Sequence, residues 1–222
     1  RMTERLGKET TAAKLNRKIS FDANYPESKA FSTQIDGKPV QGWIQDNAGK
    51  PITQELKDAV IKRFGSLDKM DEHLPQLLQE QPQLRNDLTN AAVERMVYGD
   101  RDINTSNITR GADGKIHNID MGHAFSDEPA INLHSYRQNL TDISLLKALS
   151  EQPIPADTRA KLQAFADNYK SDEAIDRLAR ETGSPRERIV ESVQRARQLA
   201  DSGHLPAVDA SHVTEDNIDF FR

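Results

Sequence analysis

The stretch YGDRDINTSNITRGADGKIHNIDMG, residues 98–122, decides how the rest of the chain is read. Asp100, Asp102, Asn107 and Asp120 lie within 21 residues of one another, flanked by Gly99 and Gly122. Gly111-Ala112-Asp113-Gly114 forms a turn, and the runs on either side of it, 107–109 and 116–120, can pair as short strands. Catalytic groups concentrate on loops that a rigid scaffold positions. Clusters of Asp, Asn and Gly also make ordinary turns, because both side chains bond nearby backbone and tolerate unusual dihedrals.

On either side of this stretch the pattern is mostly helical. Residues 3–19 carry Leu6, Ala12, Ala13, Leu15 and Ile19 as one apolar stripe, with Thr3 as a candidate cap. Residues 28–45 alternate loosely around Asp36-Gly37, the turn pair that hairpins favour. Helical periods then run over 52–64, 74–78 and 84–98, and after the central stretch over 140–149, 156–169, 172–182 and 185–200. Ser184-Pro185-Arg186-Glu187 reads as a capping box at the start of the last helix. The fold class expected is α+β, mostly helical, with a small antiparallel sheet.

Composition narrows the function classes. The 222 residues can bury a substantial core, and no apolar run approaches the about 20 residues that a bilayer crossing needs. Thirty Lys and Arg against 35 Asp and Glu give a net charge of -5, which argues against an electrostatic footprint for nucleic acid over the whole chain. The absence of cysteine excludes disulfides, thiolate metal sites and a cysteine nucleophile. The chain begins at Arg1 without a signal-peptide pattern and reads as an internal piece of a longer protein.

The run Asp102-Ile103-Asn104-Thr105-Ser106-Asn107-Ile108, then Gly114-Lys115, then Ile119-Asp120-Met121-Gly122, resembles the catalytic and metal-binding loops of the protein-kinase-like superfamily. The shared pattern is Asp, four residues, Asn, a short hairpin, then Asp-x-Gly. Gly99-Asp100-Arg101 with Ile119-Asp120-Met121-Gly122-His123 also resembles the phosphoinositide-kinase branch. The steps of five and thirteen, matched in order, favour a site over plain turns. The resemblance spans roughly residues 4–146 and implies a kinase-like large lobe, 49–222, behind an incomplete small lobe, 1–48.

The activity implied is transfer of the terminal phosphate of ATP to a hydroxyl, with Mg2+ as cofactor. Phosphoryl transfer needs positioning and charge neutralisation more than covalent help. Asn107 and Asp120 offer the carboxylate and amide oxygens that this hard ion prefers. Asp102 is the expected base for the attacking hydroxyl, with Asp100 as its rival, and Arg101 braces the loop or pairs with a phosphate. By order along the chain, Glu9 takes the place of the family's glutamate that fixes a strand lysine on the phosphates. Gln45 and Asp46 begin the stretch expected to contact adenine. The acceptor implied is a protein first, with lipid and small-molecule hydroxyls as alternatives.

Some features depart from the family. The glycine-rich phosphate loop and the lysine would lie upstream of Glu9, where eight residues leave no room for them. The lysine that many kinases keep two positions after the catalytic Asp is Asn104 here, and no Ala-Pro-Glu-like segment follows Phe125. The chain therefore looks more like compact bacterial kinases, including effectors secreted into a host cell, or small-molecule kinases. A kinase-like scaffold without activity is a second reading.

Other motifs have plainer readings. His117 and His123 lack zinc spacing and read as surface or supporting residues, and Trp43 reads as core. Residues 174–197 have a helix-turn-helix outline, with Arg186, Arg188, Arg195 and Arg197 set against Glu187 and Glu191. The balancing acids weaken phosphate attraction, so this hairpin reads first as large-lobe structure or a partner surface, with a helix-turn-helix nucleic-acid binder as a third reading of the function.

Overall fold

Helix packing on helix, with a two-stranded hairpin and a short three-stranded sheet, is the architecture of the computed structural model, which describes residues 2–19, 28–45, 49–100, 102–125 and 139–208. The chain is α+β and mostly helical, as its periodicity predicts. Helix α1 (Met2–Ile19) is followed by strands β1 (Ser28–Ile35) and β2 (Lys38–Gln45), then β3 (Lys50–Pro51). Helices α2 (Ile52–Phe64), α3 (Met70–Glu80) and α4 (Pro82–Val97) come next. Strands β4 (Ile108–Arg110) and β5 (Ile116–Asn118) lead into a 3₁₀ turn at Met121–His123. Helices α5 (Leu140–Leu149), α6 (Ala156–Asn168), α7 (Asp172–Thr182) and α8 (Arg186–Ser202) complete the order.

The buried positions follow the helical period. Ile52, Leu56 and Val60 line one side of α2, and Ile189, Val193, Ala196 and Leu199 one side of α8. Helix α4 is different, because every residue from Ala91 to Val97 is buried, the adjacent charges Glu94 and Arg95 included. It is the central helix of the bundle, and the loop it feeds is therefore anchored on the core.

The β1–β2 hairpin turns at Asp36-Gly37, both with positive φ (51° and 73°), the geometry a two-residue turn needs to match strand twist. In the second sheet β4 pairs antiparallel with β5, and β3 adds a third strand that the sequence pattern did not predict. Two residues long, β3 is too short for alternation to mark it.

The expected capping box does not form. Pro185 occupies the N-cap of α8, and the Ser184 hydroxyl instead meets the Thr11 hydroxyl of α1 at 2.7 Å. Thr11 already donates to the Gly7 carbonyl, so Ser184 is the donor between them. Three more contacts fasten α1 to the body. Lys14 donates to the Thr182 carbonyl (2.8 Å), Lys18 pairs with Glu181, and Asn16 donates to Glu94 (2.5 Å). Among the described residues no helix is long and apolar enough to cross a membrane.

Candidate functional site

The loop after α4 begins with a turn that only glycine fits easily. Gly99 has φ +63°, and a Cβ there would lie 2.6 Å from the guanidinium carbon of the buried Arg195 on α8. The next residue, Asp100, turns inward. One of its oxygens accepts from Arg95 Nη1 and the other from the Asp102 amide at 2.9 Å. Burial pushes the Asp100 carboxyl up from its ordinary pKa, and the adjacent Arg95 guanidinium pulls against that.

Asp102 faces along the loop. Its Oδ2 accepts from Asn107 Nδ2 at 3.1 Å, so the two residues five apart in sequence touch through their side chains. Because the amide nitrogen of Asn107 turns toward Asp102, its amide oxygen occupies the other branch of the carboxamide. The loop is shaped by Asn104, fully buried, whose Oδ1 accepts from the Ser106 and Asn107 amides at 3.0 and 3.1 Å. Asn104 thus folds the loop on itself. Asp142 of α5 holds the loop from behind, accepting from the Thr105 amide (2.7 Å) and hydroxyl (2.8 Å).

The hairpin brings the third residue in. The pairs Ile108↔Asn118 and Arg110↔Ile116 set the register, and the Ile119 amide donates to the Asn107 carbonyl at 2.9 Å. Asp120 therefore lies one residue beyond the partner of Asn107, although it is thirteen positions on in the sequence. Asp120 leaves the extended ladder with φ 54° and ψ 59°, a left-handed geometry that Asp tolerates, and is half-buried ahead of the 3₁₀ turn.

Helix α1 packs against that turn and carries Glu9 toward Asp120. Glu9 is 1% exposed, and neither carboxyl oxygen has a hydrogen-bond partner. Burial raises its pKa to about 7, helped by the negative charges of Asp120 and Asp100. Arg95 pulls the other way, and the Met121 amide, which falls short of hydrogen-bond geometry, lowers it least. Glu9, Asp100, Asp102, Asn107 and Asp120 are thus gathered around the end of α4.

Arg101 and Asp46 lie outside the described residues, and Gln45 is described only in its β2 backbone. The side chains of Thr3, Leu6 and Trp43 also lie outside them. His117, expected at the surface or in a supporting role, is buried and reaches Asp113 at 3.2 Å, while His123 is exposed.

Sequence reasoning missed the residue at the centre. Arg95 is fully buried, and it donates from Nε to Asn118 Oδ1 (2.9 Å) and from Nη1 to Asp100 and to the Asp102 carbonyl (3.2 Å). From Nη2 it reaches the Asn107 carbonyl (2.9 Å) and the Ile119 carbonyl. Asn118 in turn donates to Glu94 (2.7 Å) and to the Ala91 carbonyl (3.0 Å). The available signal was a Glu-Arg pair inside the apolar run Ala91-Ala92-Val93-Glu94-Arg95-Met96-Val97. Two adjacent charges there occupy positions that the surrounding pattern reserves for the core.

The donor set suits a hard cation. Asn107 supplies an amide oxygen and Asp120 a half-buried carboxylate, and magnesium commonly takes one or two such protein oxygens with water and phosphate completing its shell. Among the described residues no three His, Asp or Glu side chains form a metal-holding group. A cleft of about 520 Å³ lies between α4, the β4–β5 hairpin and the start of α6, lined by residues including Asp87, Arg110, Lys115 and Lys161. No family model matches this chain, and no curated protein matches it.

Proposed function

We propose that this chain is the catalytic body of a kinase-like phosphotransferase that moves the terminal phosphate of ATP to a hydroxyl, first of all on a protein. In this reading it forms part of a longer, bacterial effector-type protein. The supporting observation is the meeting of Asp102 and Asn107 at 3.1 Å, with Asp120 one residue past the backbone partner of Asn107. Asp102 orients the acceptor hydroxyl and takes its proton as the new bond to phosphorus forms. Asn107 and Asp120 hold magnesium, which when bound neutralises the phosphate charge. Asp100, with both oxygens engaged, sets the loop instead of facing the acceptor. Residues 1–48 act as the small-lobe portion, with Glu9 its contribution to the site and Gln45 and Asp46 on the adenine side.

Asp120→Ala tests the reading. It removes a half-buried carboxylate, so transfer of labelled phosphate from ATP falls at least about a hundredfold while circular dichroism keeps the helical signal of the fold. Retained transfer would refute the proposal. One observation favours a non-catalytic scaffold as the second reading: Asp102 and Asn107 are only 7% and 6% exposed. Isothermal titration separates the two, because a scaffold shows no magnesium-dependent ATP binding even in the full-length protein.

A further inference from the structure

We infer that Arg95 is a positioning residue that fixes the two loops of the proposed site as one body, through main-chain carbonyls rather than through the reacting groups. The inference rests on the phosphotransferase reading for its consequence and on geometry for its existence. A guanidinium has five N–H donors in a rigid planar fork. Five acceptors surround this one: Asn118 Oδ1, Asp100 Oδ2, and the carbonyls of Asp102, Asn107 and Ile119. Two of those carbonyls belong to members of the proposed triad, and the third belongs to the residue just before Asp120.

The arrangement has a physical consequence. The backbone–backbone bond described between the loops is the single one from Ile119 to Asn107, because the β4–β5 ladder begins only at Ile108↔Asn118. Arg95 Nη2 bonds the carbonyls of both partners, and Nη1 ties in Asp102 on the other side. Asp100 neutralises the buried charge, and Asn118 aligns the fork by accepting at Nε while bonding back to Glu94 one residue away. An ammonium cannot replace it, since three donors on a single point cannot span acceptors on two loops. Arg95 is fully buried, so its effect reaches the chemistry only through Asp102, Asn107 and Asp120.

The test compares the full chain with Arg95→Lys and Arg95→Gln, and with Asp120→Asn as the site control. Hydrogen exchange read by mass spectrometry should show residues 102–109 and 116–121 losing protection together, by at least about tenfold, while α6–α8 keep theirs. The magnesium concentration for half-maximal phosphate transfer should rise at least about tenfold and kcat should fall, while KM for the acceptor stays within about twofold. Asp120→Asn, which removes the charge but keeps a side chain that tolerates the left-handed φ, should lose transfer with its loop protection intact. Should the single variants fail to fold, Arg95→Met with Asp100→Asn removes both charges of the buried pair, and the same paired loss of protection is expected.

Wild-type protection in both loops, or an even loss across the whole chain, would overturn the positioning role. A wild-type protein with neither magnesium-dependent ATP binding nor transfer would overturn the phosphotransferase reading and the catalytic consequence drawn from it. The exchange data would still decide whether Arg95 joins the loops.

Discussion

The carboxyl of Glu9 sits where burial and the charges of Asp120 and Asp100 all favour its protonated form, which raises its pKa from 4.5 to about 7. Below pH 4.5 the folded and unfolded chains both hold this proton. Between 4.5 and 7 the unfolded chain releases it and the folded chain keeps it, so the stability it contributes declines as pH rises through that window. Glu9→Gln mimics the protonated form at every pH. In magnesium-free buffer it should match wild type near pH 4.5 and exceed it at pH 8 by on the order of 3 kcal/mol, read from urea midpoints. An offset that does not change with pH would show that the side chain does not titrate in the folded state as its surroundings require. The spacing explains how a carboxylate came to be there. Glu9 and Asn16 are two helical turns apart on the same stripe as Ala12 and Ile19, so the face that docks α1 also carries both polar groups inward.

At the scale of elements, α1 and α7 depend on each other through side chains that do not look like contacts in the sequence. Thr11, Lys14 and Lys18 meet Ser184, the Thr182 carbonyl and Glu181, all around the C-terminal turn of α7. That turn ends at Gly183 with φ +67°, where a Cβ would meet only the tip of Lys14 at 3.7 Å. Gly99 has nearly the same dihedral, but a Cβ there would run into Arg195. The two glycines make a matched experiment. Gly183→Ala should cost about 1 kcal/mol from the left-handed backbone alone. Gly99→Ala should cost about 3 kcal/mol, since a buried guanidinium must also move. Equal losses in chemical denaturation would mean that the close approach to Arg195 carries no penalty. The arginines of α8 are likewise engaged. Arg186 pairs with Asp172 and Asp176, Arg195 with Glu191 and Arg197 with Asp167, while Arg188 lies over the Phe125 ring at 5.5 Å.

For the whole molecule, the same connections bear on cooperativity. The side chains of α1 reach α4, the 3₁₀ turn and α7, and Asp142 of α5 holds the loop that leaves α4. Elements drawn from both ends of the chain therefore share the packing around the candidate site. Calorimetry should show one unfolding transition, with calorimetric and van't Hoff enthalpies in agreement. Two resolved transitions would mean that the N-terminal residues unfold separately from the helices on which they rest.

Element types were legible in the sequence because each arises within a few residues. Ile52, Leu56 and Val60 specify a helix by period alone, and Asp36-Gly37 specifies a hairpin through its dihedrals. The pairing of the runs on either side of Gly111-Ala112-Asp113-Gly114 was legible for the same reason, because a tight hairpin sets its own geometry, whereas the choice of Asp102, Asn107 and Asp120 came from the resemblance. Only the tertiary structure decided which of Asp100 and Asp102 turns inward, since that choice depends on a guanidinium arriving from the helix before them. It also took Ser184 from a local cap to a partner 173 residues away, and joined Thr105 to Asp142 across 37. Local propensity acts over about one helical turn, whereas a buried polar group must find a partner wherever the folded core brings one.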